Sequence, residues 1–421
     1  MTEDRRLAVI GLGYVGLPLA IAFAEAGLDV EGIDASDARI AELHGGTSPI
    51  DDISDERLQA ATTSGLSIVS PDESRLGEAD VVFVCVPTPI TSTKDPDLSP
   101  VLAAAEFICD HIRRGQLIVL QSTTFPGTTT GPFREVIERS GLVAGRDFDL
   151  AFAPERVNPG DPASASKQVP RLVGATTPEA TGRAAALLGN INDRVVQVSS
   201  PDAAELAKLL GNVFRNVNIA FVNQLALLCE RMGLDVWEVI DAAATKPFGF
   251  MKFTPGPGVG GHCIPVDPYY LSWRAREFDL TTEFIELAGK VNQQMPYHCV
   301  AKVERVLNDA GKPVNGSRIA VFGVSYKPGV GDVRESPALK IVSLLGALGA
   351  DLAYHDPHVP VLPDGGLRSL DFDDALQGAD LALIVTAHPG VDHDAIAERA
   401  PLVVDLRGVT RHAGTRRTVL L

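Results

Sequence analysis

At 421 residues the chain exceeds what one hydrophobic core ordinarily organises, so two or three domains are expected. A hydrophobic fraction of 45% and a charged fraction of 22% suit a globular protein, and no run of eighteen or more apolar residues marks a membrane span. The formal charge of −17, from 37 basic and 54 acidic residues, argues against nucleic acid or an anionic membrane as partner and requires an anionic ligand to be met by locally gathered cations.

The opening stretch, MTEDRRLAVIGLGYVG, holds only a short apolar run before its glycines, unlike a secretory signal, so a cytoplasmic protein is expected. Leu7 to Ile10 reads as a strand, followed by glycines, an alanine-rich helix over about 15–26, a stop at Gly27 and a second strand, Asp29 to Ile33, closed by Asp34. This is a βαβ unit. Further strands are predicted at 79–87, 115–123 and 148–155, with helices around 100–113 and 128–140. Such alternation implies a mainly parallel, doubly wound sheet, with a domain at 1–198. From Asp202 some thirty residues keep helical spacing, the pattern of a spine between domains whose spare apolar surface serves a dimer. That helical domain, 199–300, is interrupted by the loop GPGVGGHCIPVDPYY at 256–270. After Gly316 the α/β pattern resumes through SRIAVFGVSYKPGVGD, SPALKIVSLLGALGA, DLAYHDP, ADLALIVTAH and, as its last strand, PLVVDLRG, in a domain at 301–421 without the full glycine pattern. The fold class expected is α/β, with two Rossmann-like doubly wound parallel-sheet domains joined by a long central helix and helical domain.

Gly11-Leu12-Gly13-Tyr14-Val15-Gly16 matches GxGxxG between a predicted strand and helix, and Asp34 follows Gly16 by eighteen residues. The glycines permit a tight turn and close approach of a pyrophosphate, while Asp34 would accept from a ribose diol and repel a 2′-phosphate, favouring NAD over NADP. Lys208 and Asn212 share one helix face, with Arg215 about a turn further on; a lysine beside an amide can stabilise an alkoxide, although a solvated face would read the same way. The five cysteines, at 85, 109, 229, 263 and 299, are odd in number and form no CxxC pair, which argues against a disulfide framework or zinc ribbon. Cys85, Cys109 and Cys229 fall in strand or helix patterns as small hydrophobes. Cys263 is different, because it sits among glycines and prolines where a thiol can serve as nucleophile. A buried structural cysteine, or a metal site with His262 and Asp267, are the other readings, and no metal is expected. Glu155 closes a predicted strand at the ligand-binding edge, where a capping or salt-bridging acid would look alike. Lys327 and Arg334 bracket a glycine-rich turn and suit a diphosphate, or equally a solvated basic turn.

Taken in order, GLGYVG, VPTP (86–89), STTFPGTT (122–129), APER, AKLLGN, GPGVGGHCIPVDPYYL and KPGVGDVRESP resemble the nucleotide-sugar 6-dehydrogenases, the family of UDP-glucose dehydrogenase, over residues 6–410. The resemblance implies oxidation of a sugar C6 alcohol to a carboxylate with two NAD⁺, in three domains, as a dimer or higher homo-oligomer. It further implies Cys263 as nucleophile, Lys208 with Asn212 on the oxyanions, Asp267 ordering water, Glu155 as general acid/base and Thr123 positioning water or nicotinamide. Gly11, Gly13, Tyr14, Val15, Gly16, Asp34, Arg39, Thr88, Thr123 and Arg334 would hold the cofactor. Glu155, Lys208, Asn212, Arg215, Gly260 and Lys327 would face the UDP-sugar. The UDP-glucose enzymes carry serine before the cysteine and lysine before the aspartate, whereas this chain has His262 and Val266. GHCIPVDPYYL preceded by KPFGF looks more like the branch acting on UDP-N-acetylhexosamines, leaning to UDP-N-acetylglucosamine over its manno epimer, in envelope polysaccharide precursor synthesis. UDP-N-acetylmannosamine and UDP-glucose stay open as substrates. So do a two-electron β-hydroxyacid dehydrogenase, which needs no thiol, and a non-catalytic NAD-binding regulator.

Overall fold

The computed structural model describes residues 6–50, 53–91, 94–156, 168–262, 264–363, 366–413 and 417–421, so Cys263 lies outside the described residues. The chain divides into two compact units, residues 1–211 with 269–280 and residues 212–268 with 281–421.

The first unit is built on eight strands, β1 (Arg6–Ile10), β2 (Asp29–Ile33), β3 (Leu66–Val69), β4 (Val81–Val84), β5 (Leu117–Leu120), β6 (Asp149–Phe152), β7 (Arg171–Ala175) and β8 (Val195–Gln197). Their order is β3-β2-β1-β4-β5-β6-β7-β8. β1 pairs in parallel with both β2 and β4, setting Ile10 opposite Ile33 and Val84. The winding reverses between β1 and β4, which puts a crevice at their carboxyl ends. Strands in such a sheet are apolar on both faces: Leu7 and Val9 enter one core, Ala8 and Ile10 the other. β7 runs antiparallel to β6, so the sheet is parallel only through its first six strands.

The helix expected over 128–140 is broken. A π-turn at Thr129–Phe133, a short helix at Arg134–Ile137 and a 3₁₀ turn at Glu138–Ser140 replace it. Gly131, at φ −107° and ψ −110°, leaves helical geometry because it precedes Pro132, whose ring disfavours the α region at that position.

The second unit carries β9 (Arg318–Phe322), β10 (Asp351–His355), β11 (Leu381–Ile384), β12 (Val403–Asp405) and β13 (Thr418–Leu420), all parallel, in the order β10-β9-β11-β12-β13. β13 extends the sheet beyond the strand expected to be last; three residues are too few to announce themselves by alternation. The long helix predicted from Asp202 spans Pro201–Met232, 32 residues, and the division between the units falls within it. A second long helix, Glu283–Asp309, tolerates Pro296 inside it and ends beyond the expected limit of 300. Among the described residues no helix is long and apolar enough to cross a membrane.

Candidate active site

β1 ends at Ile10 and the chain turns at Gly11, whose φ is +90° and whose added Cβ would lie 2.7 Å from the Cys85 carbonyl oxygen. A Cβ on Gly16 would lie 1.8 Å from the Gly11 oxygen, so the helix Gly16–Glu25 has to open on glycine. Gly13 contrasts with both, because a Cβ there would meet nothing within 4 Å and its backbone faces open space. No side chain caps this helix; Leu17 and Leu19 donate to the Gly13 and Val15 carbonyls and Pro18 has no N–H, so the Gly16 N–H is the first-turn donor available to an anion. Asp34, just past β2, accepts from the Leu12 N–H at 2.8 Å and the Ser36 N–H at 2.9 Å. Arg39 Nη1 donates to the Leu12 carbonyl at 3.4 Å. The turn Gly11 to Gly16, including half-buried Val15 and exposed Tyr14, therefore lies beside Asp34 and Arg39 at one sheet edge. An uncapped helix start behind an open glycine backbone, ending at a carboxylate, fits a dinucleotide.

Thr88, Thr123 and Glu155 follow β4, β5 and β6 at the same carboxyl edge. The Tyr270 hydroxyl donates to the Thr88 carbonyl at 2.9 Å, and Ser122 Oγ donates to the Val86 carbonyl at 2.8 Å, tying the ends of β4 and β5 together. Glu155 is ion-paired with Arg171 at 3.1 Å and accepts from Gln121 Nε2 at 3.3 Å. The sequence had not pointed to Arg171, which lies sixteen residues away at the start of β7. Beneath them, burial and then the Glu155 charge push the Cys85 thiol far above its ordinary range, so it is inert at neutral pH.

The loop after Thr123 is held by Glu205, which no sequence motif marks although it lies three residues before Lys208 on the long helix. Glu205 is fully buried and accepts from the N–H groups of Gly127 and Thr129, at 2.7 and 2.9 Å, and from Thr129 Oγ1 at 2.6 Å. Burial pushes its carboxyl up to about 7 against the pull of these donors. Lys208 is half-buried and has no ion pair among the described residues.

In the second unit, Asn212 Nδ2 donates to Asp267 Oδ2 at 2.5 Å, and Asp267, 3% exposed, begins the helix Asp267–Ala275. The glycine-rich loop is anchored at its start by buried asparagines: the Gly256 N–H donates to Asn223 Oδ1, Asn223 to Asn292, and Asn292 to Asn216, at 2.9, 2.9 and 2.8 Å. Further along, the Gly261 N–H donates to the Arg334 carbonyl at 2.9 Å. A Cβ on Gly260 would sit 2.8 Å from both Tyr326 Cβ and the Glu335 oxygen, and one on Gly261, at φ +86°, would sit 2.8 Å from the Tyr326 ring. The loop thus packs against the turn that carries Lys327 and Arg334. The Arg334 guanidinium is gripped by Asp332, with Nη2 to Oδ2 at 2.6 Å, while Arg215 is exposed on the long helix.

Arg407, just past β12, also borders the loop, since a Cβ on Gly256 would lie 2.6 Å from its Nη1. Its Nε donates to the Val385 carbonyl at 2.6 Å, and among the described residues no carboxylate pairs with its side chain. Desolvation pulls its pKa down to about 10. The strand-end signature DLRG is the sequence signal that could have found it.

The family models for the UDP-glucose/GDP-mannose dehydrogenases match the NAD-binding domain at residues 5–192, the central domain at 202–294 and the UDP-binding domain at 320–412. UDP-N-acetyl-D-mannosamine dehydrogenase of Pyrococcus horikoshii is 35% identical over 413 residues, covering 96% of each chain. UDP-N-acetyl-D-glucosamine 6-dehydrogenase of Pseudomonas aeruginosa is also 35% identical, over 363 residues, covering 85% of this chain and 84% of its own. The solved structure of the Pyrococcus horikoshii UDP-D-ManNAc dehydrogenase superposes with a TM-score of 0.87 at 34% identity, over 96% of this chain and 95% of that one. With three consecutive domain models matched around a dinucleotide cradle, this chain belongs to the UDP-glucose/GDP-mannose dehydrogenase family and is an NAD-dependent nucleotide-sugar dehydrogenase.

Proposed function

We propose that the protein oxidises the C6 alcohol of a UDP-N-acetylhexosamine, UDP-N-acetylglucosamine foremost, to the uronate, as a step in envelope polysaccharide precursor synthesis. The observation that supports this reading is the packing of Gly260 and Gly261 in the glycine-rich loop on Tyr326, the residue before Lys327, within one compact unit. Bound NAD⁺ supplies the hydride acceptor for each of two oxidations. Removal of the proton from the C6 hydroxyl gives an alkoxide, which Lys208 stabilises, and departure of a hydride from C6 then leaves an aldehyde. Cys263 adds through sulfur to that carbonyl carbon and so retains the half-oxidised sugar while the coenzyme is exchanged. Loss of a second hydride leaves a thioester at Cys263, and water then releases the carboxylate and restores the thiol.

Asp267, fixed by Asn212, orders the water, and Glu155 moves its proton with Arg171 beside it as the counter-charge. Thr123 orients water or nicotinamide. Lys327 meets the diphosphate, joined on the substrate side by Arg215, Gly260 and Arg407, and Arg334, Thr88, Asp34 and Arg39 serve the cofactor. Phe214, Phe221, Leu228 and Met232 stand 45–62% exposed on the long helix, the apolar surface a homodimer would cover. The sugar assignment leans on KPFGF at 246–250 and CIP at 263–265. A panel of UDP-N-acetylglucosamine, UDP-N-acetylmannosamine and UDP-glucose tests it by NADH formation. Highest kcat/KM with the first is expected, preference for either of the others overturns the sugar assignment, and no turnover of any of them overturns the reading as a whole.

A further inference from the structure

The turn that carries Lys327 is pinned by buried groups to which the proposed chemistry gives no part. Ser325 Oγ donates to the Lys327 carbonyl at 2.8 Å, and Thr386 Oγ1 donates to the Ser325 carbonyl at 2.7 Å. The Gly329 N–H donates to His388 Nδ1 at 3.1 Å. His388 is 2% exposed, and its Nε2 lies 3.0 Å from Asp356 Oδ2 and 3.2 Å from Ser325 Oγ. Since Nδ1 accepts from Gly329, the ring hydrogen is assigned to Nε2 and points to Asp356. Asp356, itself 2% exposed, further accepts from the N–H groups of Val324, Ser325, His358 and Val359, at 2.7, 3.1, 2.9 and 3.1 Å.

Serine, histidine and aspartate together invite a hydrolytic reading, and the geometry rejects it. A triad sets the hydroxyl and the acid on opposite ring nitrogens, whereas here both meet Nε2 and the serine is fully buried. What the cluster does is fix backbone on both sides of Lys327: Ser325 before it, through Asp356 and Thr386, and Gly329 after it, through His388.

We propose that His388 is a positioning residue for substrate recognition, holding the 325–329 turn so that the Lys327 ammonium is presented to a diphosphate already in place. The inference rests on the reading that Lys327 meets the diphosphate. A lysine on a loosened turn keeps its charge but must order its backbone on binding, so the loss falls on substrate affinity rather than on the chemical step.

The test is steady-state kinetics of His388→Ala, His388→Asn and His388→Gln with the UDP-sugar turned over best. His388→Ala is expected to raise the UDP-sugar KM roughly tenfold, the worth of one ordered hydrogen bond. Its kcat and NAD KM should stay within about twofold of wild type. Asparagine offers an oxygen near Nδ1 and keeps an acceptor for Gly329, while glutamine reaches towards Nε2 and does not, so the first should recover most of the affinity and the second little. In a Lys327→Ala background His388→Ala should add nothing. A wild-type KM in His388→Ala, a loss confined to kcat, or a full further tenfold beside Lys327→Ala overturns the positioning role. A wild-type KM in Lys327→Ala overturns instead the underlying reading of the lysine. If the His388 variants do not fold, Thr386→Val removes only the donor to Ser325 and is expected to raise KM roughly threefold; an unchanged KM there counts against the proposal.

Discussion

In the first sheet β1 runs into Gly11, and in the second β9 runs into Gly323. Both glycines have positive φ, +90° and +78°, and both would drive a Cβ into a carbonyl oxygen, that of Cys85 at 2.7 Å or of Thr386 at 2.1 Å. Each donates its N–H to the last residue of the neighbouring strand, Ile33 at 2.7 Å and His355 at 2.9 Å. The next N–H in each case reaches an aspartate just beyond that strand, Leu12 to Asp34 at 2.8 Å and Val324 to Asp356 at 2.7 Å. From there the two turns part. Asp34 is half-buried and takes two backbone donors, and the helix that follows starts uncapped at Gly16. Asp356 is 2% exposed and occupied by four backbone donors and His388, and its helix waits until Pro337 and is capped by Ser336. One scaffold thus keeps its acid half-buried, with two backbone donors, in the first unit and spends it on the fold in the second, where Lys327 is the group proposed to meet an anion.

The contrast predicts the largest effect at Asp356. Burial alone would raise its carboxyl, but the bonds from His388 and the backbone outweigh that and hold it below the ordinary range. Asp356→Ala would strand four buried N–H groups and a histidine, and urea unfolding should show a loss of about 3–5 kcal/mol. A loss no larger than that of Asp34→Ala would break the comparison.

Glu205 is a third acid, buried like Asp356 but with its carboxyl raised from 4.5 to about 7. A raised carboxyl makes the folded state hold its proton more tightly, so its stabilising share is complete below about 4.5 and is lost as pH climbs through about 7, by on the order of 3 kcal/mol. Glu205→Gln should flatten that part of the stability profile; an unchanged slope between about pH 5 and about pH 8 would contradict the burial argument.

Gly11→Ala and Gly323→Ala meet the same two obstacles, left-handed backbone and a carbonyl, and should each cost roughly 2 kcal/mol or more. Calorimetry showing only one of them sensitive would mean that the two turns are not equivalent. The smallest change concerns recognition alone. Asp34→Ala should leave the melting temperature nearly intact while lowering the preference of kcat/KM for NAD over NADP roughly tenfold, and an unchanged preference would remove the diol contact from the account.

The first turn was legible because its determinants are local: six residues of glycine pattern and an acid eighteen positions on carry the dinucleotide geometry. The KxxxN pair and the cysteine loop were legible as motifs, but their supports were not. Asn223 and Asn216 meet Asn292 across 69 and 76 residues, and Asp356 and His388 stand 32 apart, beyond the ends of different strands. Helical or strand periodicity carries no trace of such pairings. β7 and β13 escaped for another reason: the one opens on an arginine and reverses direction, and the other has three residues. Gly131-Pro132 could have been read as a break and was covered by the apolar spacing around it.

In the proposed reaction one enzyme carries a sugar alcohol through two successive oxidations while sulfur keeps the intermediate. NADH formed per UDP-sugar consumed, measured at completion with limiting substrate, tests this most directly. Two equivalents, with an acylated Cys263 peptide detectable after acid quench, is the result predicted. One equivalent, or two from a Cys263→Ala variant at undiminished rate, would contradict it.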